Sequence, residues 1–118
     1  MDKTWIASFI ILVIGLGLAL FLLGDKGHAH NYDGFAMCLS ENGATMYGAN
    51  WCSHCQNQKH MFGDSFEYVN YVECPDNQDL CIEKGIEGYP TWIINGMKYP
   101  GEHTLEELSQ LTGCSLDG

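Results

Sequence analysis

Cys52 and Cys55, with Ser53 and His54 between them, are the residues whose type and spacing most directly indicate chemistry. Two thiols at this spacing at the start of a helix can close a small disulfide ring. The first sulfur then faces the unpaired N–H groups of the helix, which favour the reactive thiolate form. The motif predicts thiol–disulfide exchange, with Cys52 as the exposed nucleophile and Cys55, one turn further on, as the more buried resolving cysteine.

His54 is the candidate for tuning this pair. A cationic imidazole near the Cys52 sulfur would further stabilise the thiolate. Because a stabilised reduced form makes the disulfide a stronger oxidant, the motif favours an oxidant over a reductant. The alternative is that His54 is a solvated residue at the helix start with no electronic role.

A metal site built from the same cysteines is a competing interpretation. His28 and His30 with Cys52 and Cys55 offer ligand types that zinc or copper would accept. The two histidines stand in a short polar segment, however, and no second pair of closely spaced cysteines completes the usual four-ligand set. The sequence therefore predicts no metal and no bound cofactor.

An uncharged apolar run extends from Ile6 to Leu23, flanked by Asp2-Lys3 and Asp25-Lys26. About 20 apolar residues are enough to span a bilayer as a helix, so residues 1–24 are predicted to anchor the chain. Residues 25–33 would be a tether, and residues 34–118 the folded domain. A cleavable signal peptide is the alternative, since 27–29 is a passable cleavage site, although signal-peptide apolar regions are usually shorter.

The cysteine count and the charge indicate the compartment and the excluded ligands. All 6 cysteines follow the apolar run, a density typical of an oxidising compartment, so we expect the domain on the extracytoplasmic side of the cell membrane. The net charge of −10 comes from that same part of the chain. Such an acidic surface argues against nucleic acid and anionic lipid headgroups as ligands.

The pattern of apolar residues and turn signals predicts an α/β domain. Asn95-Gly96 is a strong hairpin signal, and Thr104 with Glu107 forms a capping box. The predicted elements are a helix capped by Asp33 and ending near Glu41, a strand at 44–47, a helix at 52–62, a strand at 66–72 buried inside the sheet, a helix at 78–84, strands at 91–94 and 97–99, and a helix from 104 to about 111.

Four segments carry a resemblance to a known family: MYGANWCSHCQNQK at 46–59, YVEC at 71–74, GYPTWIING at 88–96 and LTG at 111–113. They are similar to the thioredoxin-like domain that is fused to, or encoded beside, vitamin K epoxide reductase (VKOR) homologues in prokaryotes. The resemblance implies a minimal thioredoxin fold, a central four-stranded mixed sheet flanked by helices, here preceded by one transmembrane helix.

The resemblance also implies a function and a partner. A VKOR-type membrane protein would re-oxidise the Cys52–Cys55 disulfide using a quinone, and the domain would pass the disulfide to thiols of secreted proteins. With one predicted span, this chain would need that partner supplied in trans. Two alternatives stay open: a tethered reductase or isomerase, such as those that keep apocytochrome cysteines reduced, and a non-catalytic module whose cysteines hold a metal or a static disulfide.

Further site residues follow from the resemblance. Thioredoxin-like folds place a cis-proline against the disulfide, which here would be Pro90, and Trp51 and Tyr89 would form an apolar rim for substrate unless they simply pack. Cytosolic thioredoxins have a buried aspartate six residues before the first cysteine, whereas this chain has Met46. Proton handling must then depend on water, His54 or another group.

Four cysteines remain outside the motif. Related domains often pair the cysteines that correspond to Cys74 and Cys81, which implies a bridge across the loop after the second strand. Cys38 and Cys114 are then left, and a bridge between them would join the two ends of the domain. The alternative for Cys74–Cys81 is a redox-active pair that exchanges electrons with Cys52–Cys55.

Overall fold

A computed structural model describes residues 2–22 and 31–117. The chain divides into two units, residues 1–30 and residues 31–118, which are taken separately below. Most of the predicted tether lies outside the described residues, as do His28, His30 and the alternative cleavage site at 27–29. The proposed boundaries of anchor, tether and domain therefore stay predictions.

In the first unit, the described residues 2–22 form one helix, α1, from Lys3 to Leu22. Its 20 residues are exposed and mostly apolar, and by length and composition the helix could cross a membrane. A signal sequence near the N-terminus would share these properties. Retention of α1 as an anchor is taken up below as part of the proposed function.

The second unit is a mixed four-stranded sheet flanked by helices, as predicted. The strand order is β2-β1-β3-β4, with β2 parallel to β1, β3 antiparallel to β1, and β4 antiparallel to β3. The strands are β1 Ala44–Gly48, β2 Asn70–Glu73, β3 Thr91–Ile94 and β4 Met97–Pro100. The helices are α2 Asp33–Glu41, α3 Ser53–Phe62, α4 Gln78–Glu83 and α5 Leu105–Thr112.

The predicted second strand was wrong in its first half and in its burial. Residues Gly63–Tyr68 form a 3-10 helix, and β2 begins only at Asn70. Phe66 packs edge-on against Phe62 of α3, with ring centroids 5.8 Å apart, so it is apolar because it contacts a helix. The periodicity of a short apolar run does not distinguish a strand from a helical segment. β2 is also an edge strand beside β1, with partly exposed side chains, and it is not buried inside the sheet.

The start of α2 also differs from the prediction. Tyr32 is the N-cap residue, and Asp33 is the first helical residue. The Asp33 carboxylate accepts a hydrogen bond from Ser65 Oγ at 2.7 Å, while the Tyr32 N–H donates to the same Oγ at 3.0 Å. Asp33 therefore links α2 to the 3-10 helix, and it does not cap its own helix.

Local signals elsewhere are confirmed at the backbone level. Asn95 and Gly96 both have positive φ, at 50° and 83°, which is the conformation that a tight hairpin turn requires. Thr104 Oγ1 accepts the Glu107 N–H at 3.1 Å. The Glu107 carboxylate, however, pairs with His103 Nδ1 at 2.9 Å. Only the Thr104 half of the capping box thus forms, because the Glu107 side chain contacts His103 in the preceding loop.

The largest core cluster lies between the sheet and the helices α2, α3 and α5, and its aromatic centre is Phe35, Phe62 and Trp92. Phe62 stacks on Phe35 at 6.0 Å between ring centroids and lies 6.2 Å from the Trp92 ring. Because Phe62 is the last residue of α3, this packing fixes the far end of the helix that starts at the cysteine motif.

Gln58 holds the middle of α3 although it is a fully buried polar residue. Its Oε1 accepts the Trp92 Nε1–H at 3.1 Å and the His103 N–H at 2.8 Å, and its Nε2 donates to the His103 carbonyl at 2.9 Å. One side chain therefore joins α3 to β3 and to the loop before α5.

We expect Gln58→Leu to lower the free energy of unfolding by about 2 to 6 kcal/mol, because the buried Trp92 Nε1–H and the partly buried His103 N–H would lose their acceptor at about 1 to 3 kcal/mol each. Denaturant unfolding followed by far-UV circular dichroism measures the loss. Gln110→Leu, on the exposed side of α5, is the matched control. Equal stability of the two variants would contradict the role given to Gln58.

Both bridges expected from the sequence are present. Cys38 in α2 is bonded to Cys114, just after α5, and the two lie 76 residues apart in sequence. Cys74 is bonded to Cys81, at a separation of 7, and joins the 3-10 turn Cys74–Asp76 to α4. Cys74, Cys81 and Cys114 are buried. The first bridge therefore restrains almost the whole domain, and the second restrains one loop.

We expect the two bridges to differ in their contribution to stability, since the entropy lost by the unfolded chain grows with loop length. Replacing Cys38 and Cys114 by alanine should cost about 4 to 5 kcal/mol, and replacing Cys74 and Cys81 about 2 to 3 kcal/mol. Denaturant unfolding with Cys52 and Cys55 kept reduced makes this comparison. An equal or reversed order would show that chain entropy is not the main effect.

Candidate active site

The cysteine motif lies where β1 passes into α3. Cys52 is the N-cap residue of α3, and its backbone is extended. Its Sγ lies 3.4 Å from the Cys55 N, in the position where a capping side chain accepts an N–H from the first turn. Cys52 and Cys55 are both free thiols in this structure.

The two thiols have opposite environments. Cys52 is partly exposed, whereas Cys55 has no exposed surface. Burial raises the pKa of the Cys55 thiol to about 12, and the neighbouring Cys52 adds to this increase, while the Ala49 backbone and the charge of Lys59 oppose it. Cys55 is therefore protonated at neutral pH, and Cys52 is the sulfur that external reagents can reach.

Pro90 lies in the loop that faces Cys52. The Tyr89–Pro90 peptide bond is cis, and Pro90 is fully buried. The Tyr89 carbonyl oxygen lies 3.6 Å from Cys52 Sγ and accepts from its thiol. Thr91 Oγ1 donates to the Gly88 carbonyl at 2.8 Å, which braces the loop from the strand side. The backbone before Pro90 therefore borders the reactive sulfur.

Trp51 and Tyr89 form an aromatic rim beside Cys52. Their rings meet edge to face with centroids 5.9 Å apart. Trp51 is nevertheless 69% exposed, which is unusual for so large an apolar side chain beside a reactive group. Tyr89 thus supports Trp51, whose indole remains an exposed apolar surface next to the cysteine motif.

His54 contacts a polar residue that the sequence did not suggest. Its Nδ1 lies 2.9 Å from Glu102 Oε1, and Asn57 Nδ2 donates to the same oxygen at 3.2 Å. The His54 side chain is 71% exposed. Glu102 follows β4 and meets α3 only through the tertiary fold, so no local pattern could have identified it. The influence of His54 on the Cys52 thiolate stays a prediction.

A second group that sequence reasoning missed lies behind Cys55. Tyr71 Oη donates to Glu73 Oε2 at 3.0 Å, and Glu73 Oε1 accepts the Asn50 N–H at 2.7 Å. Lys59 Nζ lies 4.0 Å from the centroid of the Tyr71 ring. A tyrosine and a glutamate two residues apart share one face of a strand, so their spacing was the available signal.

The metal interpretation finds no support within the described ranges. Across residues 2–22 and 31–117, no cluster of three or more histidine, cysteine or acidic side chains is arranged to hold a metal ion. His28 and His30 lie outside these ranges.

No family model matches the chain. Over 88 residues it is 50% identical to the thiol-disulfide oxidoreductase LTO1 of Arabidopsis thaliana, an alignment that covers 67% of this chain and 23% of that protein. Over 76 residues it is 32% identical to a protein disulfide-isomerase of Saccharomyces cerevisiae, covering 52% and 15%. The chain belongs to the thioredoxin-like thiol–disulfide oxidoreductases.

Other comparisons add context for this oxidoreductase. The chain spans less than a quarter of the length of either curated relative. Oxidised glutaredoxin 2 from Chlamydomonas reinhardtii is 24% identical, with a TM-score of 0.41, and the match covers 75% of this chain and 98% of that structure. At this similarity the solved structure does not bear on the function.

We expect iodoacetamide at neutral pH to alkylate Cys52 and spare Cys55 in the reduced oxidoreductase, because Cys55 is buried and its pKa is raised to about 12. Peptide mass spectrometry locates the label. Cys52→Ser should leave the folded protein almost unreactive, while Cys55→Ser should react as the wild type does. Preferential labelling of Cys55 would contradict the assignment of the nucleophile.

Proposed function

We propose that this chain is a membrane-anchored extracytoplasmic oxidoreductase that transfers its Cys52–Cys55 disulfide to thiols of substrate proteins. We further propose that a VKOR-type, quinone-linked membrane partner re-oxidises it in trans. The observation that best supports exchange at this site is the position of Cys52 Sγ, which lies between the first turn of α3 and the Tyr89 carbonyl.

The exchange follows from the two environments. A substrate thiolate attacks Cys52 Sγ of the disulfide, the Cys52–Cys55 bond breaks, and Cys55 leaves as a thiolate that takes up a proton. A second substrate thiolate then attacks the substrate sulfur of the mixed disulfide and releases Cys52 as a thiolate. The substrate dithiol loses two electrons and becomes a disulfide, and the enzyme disulfide becomes a dithiol.

The rim supports an extended substrate segment beside the sulfur. Trp51 offers the exposed apolar surface, and the Tyr89 carbonyl offers a backbone acceptor beside Cys52. Main-chain hydrogen bonds of this kind give affinity without demanding one sequence, which suits an enzyme that acts on many secreted proteins.

The location is supported by the remaining cysteines and by α1. Cys38, Cys74, Cys81 and Cys114 are all paired in structural bridges, which persist in oxidising compartments and are rare in the cytosol. The apolar 20-residue helix α1 is long enough to hold the chain in a membrane. The VKOR-type partner is supported by the resemblance of the motif-bearing segments.

A tethered isomerase or reductase is the second candidate. The similarity to a protein whose name is protein disulfide-isomerase favours it, because an isomerase must also release Cys52 as a nucleophile toward incorrect disulfides. The partner would then keep Cys52 and Cys55 reduced. The oxidant and the reductase differ in the reduction potential that they require of the pair, whereas protein disulfide isomerase, at about −180 mV, lies in the range expected of the oxidant.

We expect the pair to have a reduction potential of about −200 mV or higher, compared with about −270 mV for thioredoxin. The full chain in detergent micelles would be equilibrated with glutathione buffers, and the thiol fraction read by alkylation and mass. His54→Ala should lower the potential by about 30 mV, a tenfold change in equilibrium constant, if the imidazole stabilises the reduced form. Ser53→Ala is the control. A wild-type value near −270 mV would support the reductase.

A further inference from the structure

Met46, which belongs to the same core cluster as Cys55, stands where cytosolic thioredoxins have a buried aspartate as proton acceptor. Met46 is fully buried in β1, and its partner in the neighbouring strand is Tyr71 of β2. A methionine sulfur cannot take up or release a proton at physiological pH. With its pKa at about 12, Cys55 needs some other group to remove its proton before it can attack a mixed disulfide.

Cys55 and Tyr71 both lie close to Gly48. A Cβ atom placed on Gly48 would lie 2.9 Å from Cys55 Sγ, 3.2 Å from Tyr71 Cε2 and 3.5 Å from the Tyr71 hydroxyl oxygen. The sulfur and the hydroxyl oxygen therefore both lie within 3.5 Å of one point. Gly48 has no side chain to separate them.

On its other side, Tyr71 is hydrogen-bonded to the carboxylate of Glu73. Its hydroxyl donates to Glu73 Oε2 at 3.0 Å, and Glu73 Oε1 is held by the Asn50 N–H at 2.7 Å. Tyr71 and Glu73 are both partly buried, so the carboxylate lies between the interior and solvent. Cys55, Tyr71 and Glu73 thus lie in order from the buried thiol toward the surface, with a hydrogen bond between Tyr71 and Glu73 and none between Cys55 and Tyr71.

The charges around this path keep Tyr71 protonated. The pKa of Tyr71 is raised above its usual range. Burial is the largest cause, and the hydrogen bond to Glu73 and the negative charge that Glu73, Cys55 and Cys52 can bear raise it further. Lys59, from α3, lies over the Tyr71 ring, and its charge favours the Cys55 thiolate. A phenol so placed can pass a proton on but does not hold a negative charge.

We propose that Tyr71 and Glu73 form a proton relay for Cys55. This inference rests on the proposed exchange at Cys52. To resolve a mixed disulfide, the Cys55 thiol gives its proton through one bridging water to the Tyr71 oxygen while the Tyr71 hydroxyl gives its own proton to Glu73. Cys55, now a thiolate, attacks Cys52 Sγ, the Cys52–substrate bond breaks, and the substrate leaves as a thiolate. Glu73 then releases the proton to water.

The reverse direction uses the same path. When a substrate thiolate opens the Cys52–Cys55 disulfide, Cys55 leaves as a thiolate and takes the proton of Tyr71, which takes another from Glu73 or from water that reaches it. Tyr71 is neutral before and after either transfer. The relay therefore changes the rate at which Cys55 enters or leaves a disulfide, and it leaves the chemistry at Cys52 unchanged.

The test uses the reduced full chain in detergent micelles and 5,5′-dithiobis(2-nitrobenzoate). Attack by Cys52 releases one thionitrobenzoate and leaves the other on Cys52, and attack by Cys55 then releases the second. Stopped-flow absorbance resolves the two releases. The first reports the proposed exchange at Cys52, and the second reports the relay.

We expect Tyr71→Phe and Glu73→Gln to leave the first release unchanged and to slow the second about tenfold or more at neutral pH, the lower range for lost acid–base assistance. The slowing should diminish as the pH rises toward the pKa of Cys55, because solvent base then removes the proton directly. Tyr99→Phe removes another tyrosine hydroxyl on β4 and should alter neither release. Thermal unfolding of each variant verifies the fold.

Two outcomes would overturn the relay. One is a second release within twofold of the wild-type rate in both variants across the pH range. The other is slowing in Tyr71→Phe alone, which would assign the hydroxyl a packing role without transfer to Glu73. Failure of the proposed function gives a different result, since a first release that survives in Cys52→Ser would remove the nucleophile on which both proposals depend.

Discussion

The close approach of α3 to β1 at Gly48 is the constraint on which the site depends. Cys55 Sγ lies where a side chain at residue 48 would stand, so the helix can pack this tightly only because Gly48 has no Cβ. With Cys55 held there, the preceding turn of α3 places Cys52 at the N-cap, at the surface and beside the cis-proline loop. Because residue 48 has no side chain, Cys55 can be buried against it while Cys52 stays exposed.

The rest of the domain maintains that approach. Gln58 and Phe62 fix the middle and the end of α3 to Trp92, which is itself fully buried. The Cys38–Cys114 bridge joins α2 to the segment after α5, and both elements contribute residues to the same core. A domain of this size has little apolar surface to bury, so covalent bridges compensate for a limited core. A helix held at several points can present a reactive sulfur with constant geometry.

Features that depend on local chemistry could be predicted from the sequence, and those that depend on tertiary register could not. Cys52, Asn95-Gly96 and Thr104 act through neighbours a few residues away, so their patterns identified the helix start, the hairpin and the cap. Phe66 was placed in a strand because apolar alternation does not reveal the helix against which it packs. Glu102 meets His54 across a sequence distance of 48 residues, which no pattern along the chain encodes.

The Tyr71–Glu73 pair shows a subtler limit. Both residues stand in the segment expected to contain the second strand, but that strand was expected to end at Val72, so Glu73 was not placed on the face that carries Tyr71. The register Met46–Tyr71 and Gly48–Glu73 is what brings the pair behind the cysteine motif. Such pairing is specified by which face of each strand is buried, and that is known only once the sheet is assembled.

The residues that surround Cys52 and those that surround Cys55 bear on two different properties, the reduction potential of the pair and the rate at which Cys55 resolves a mixed disulfide. Under the proposed exchange, the groups that can stabilise the reduced form lie mainly around Cys52, the sulfur that meets the α3 N-terminus and has His54 as its neighbour in the motif. The rate of resolution depends on how quickly Cys55 loses a proton that burial holds tightly. Because the first set of groups faces the surface and the second faces the interior behind Gly48, a substitution can alter one property and preserve the other. An exchange enzyme benefits from this separation, since its potential must match a partner while its rate must prevent mixed disulfides from accumulating.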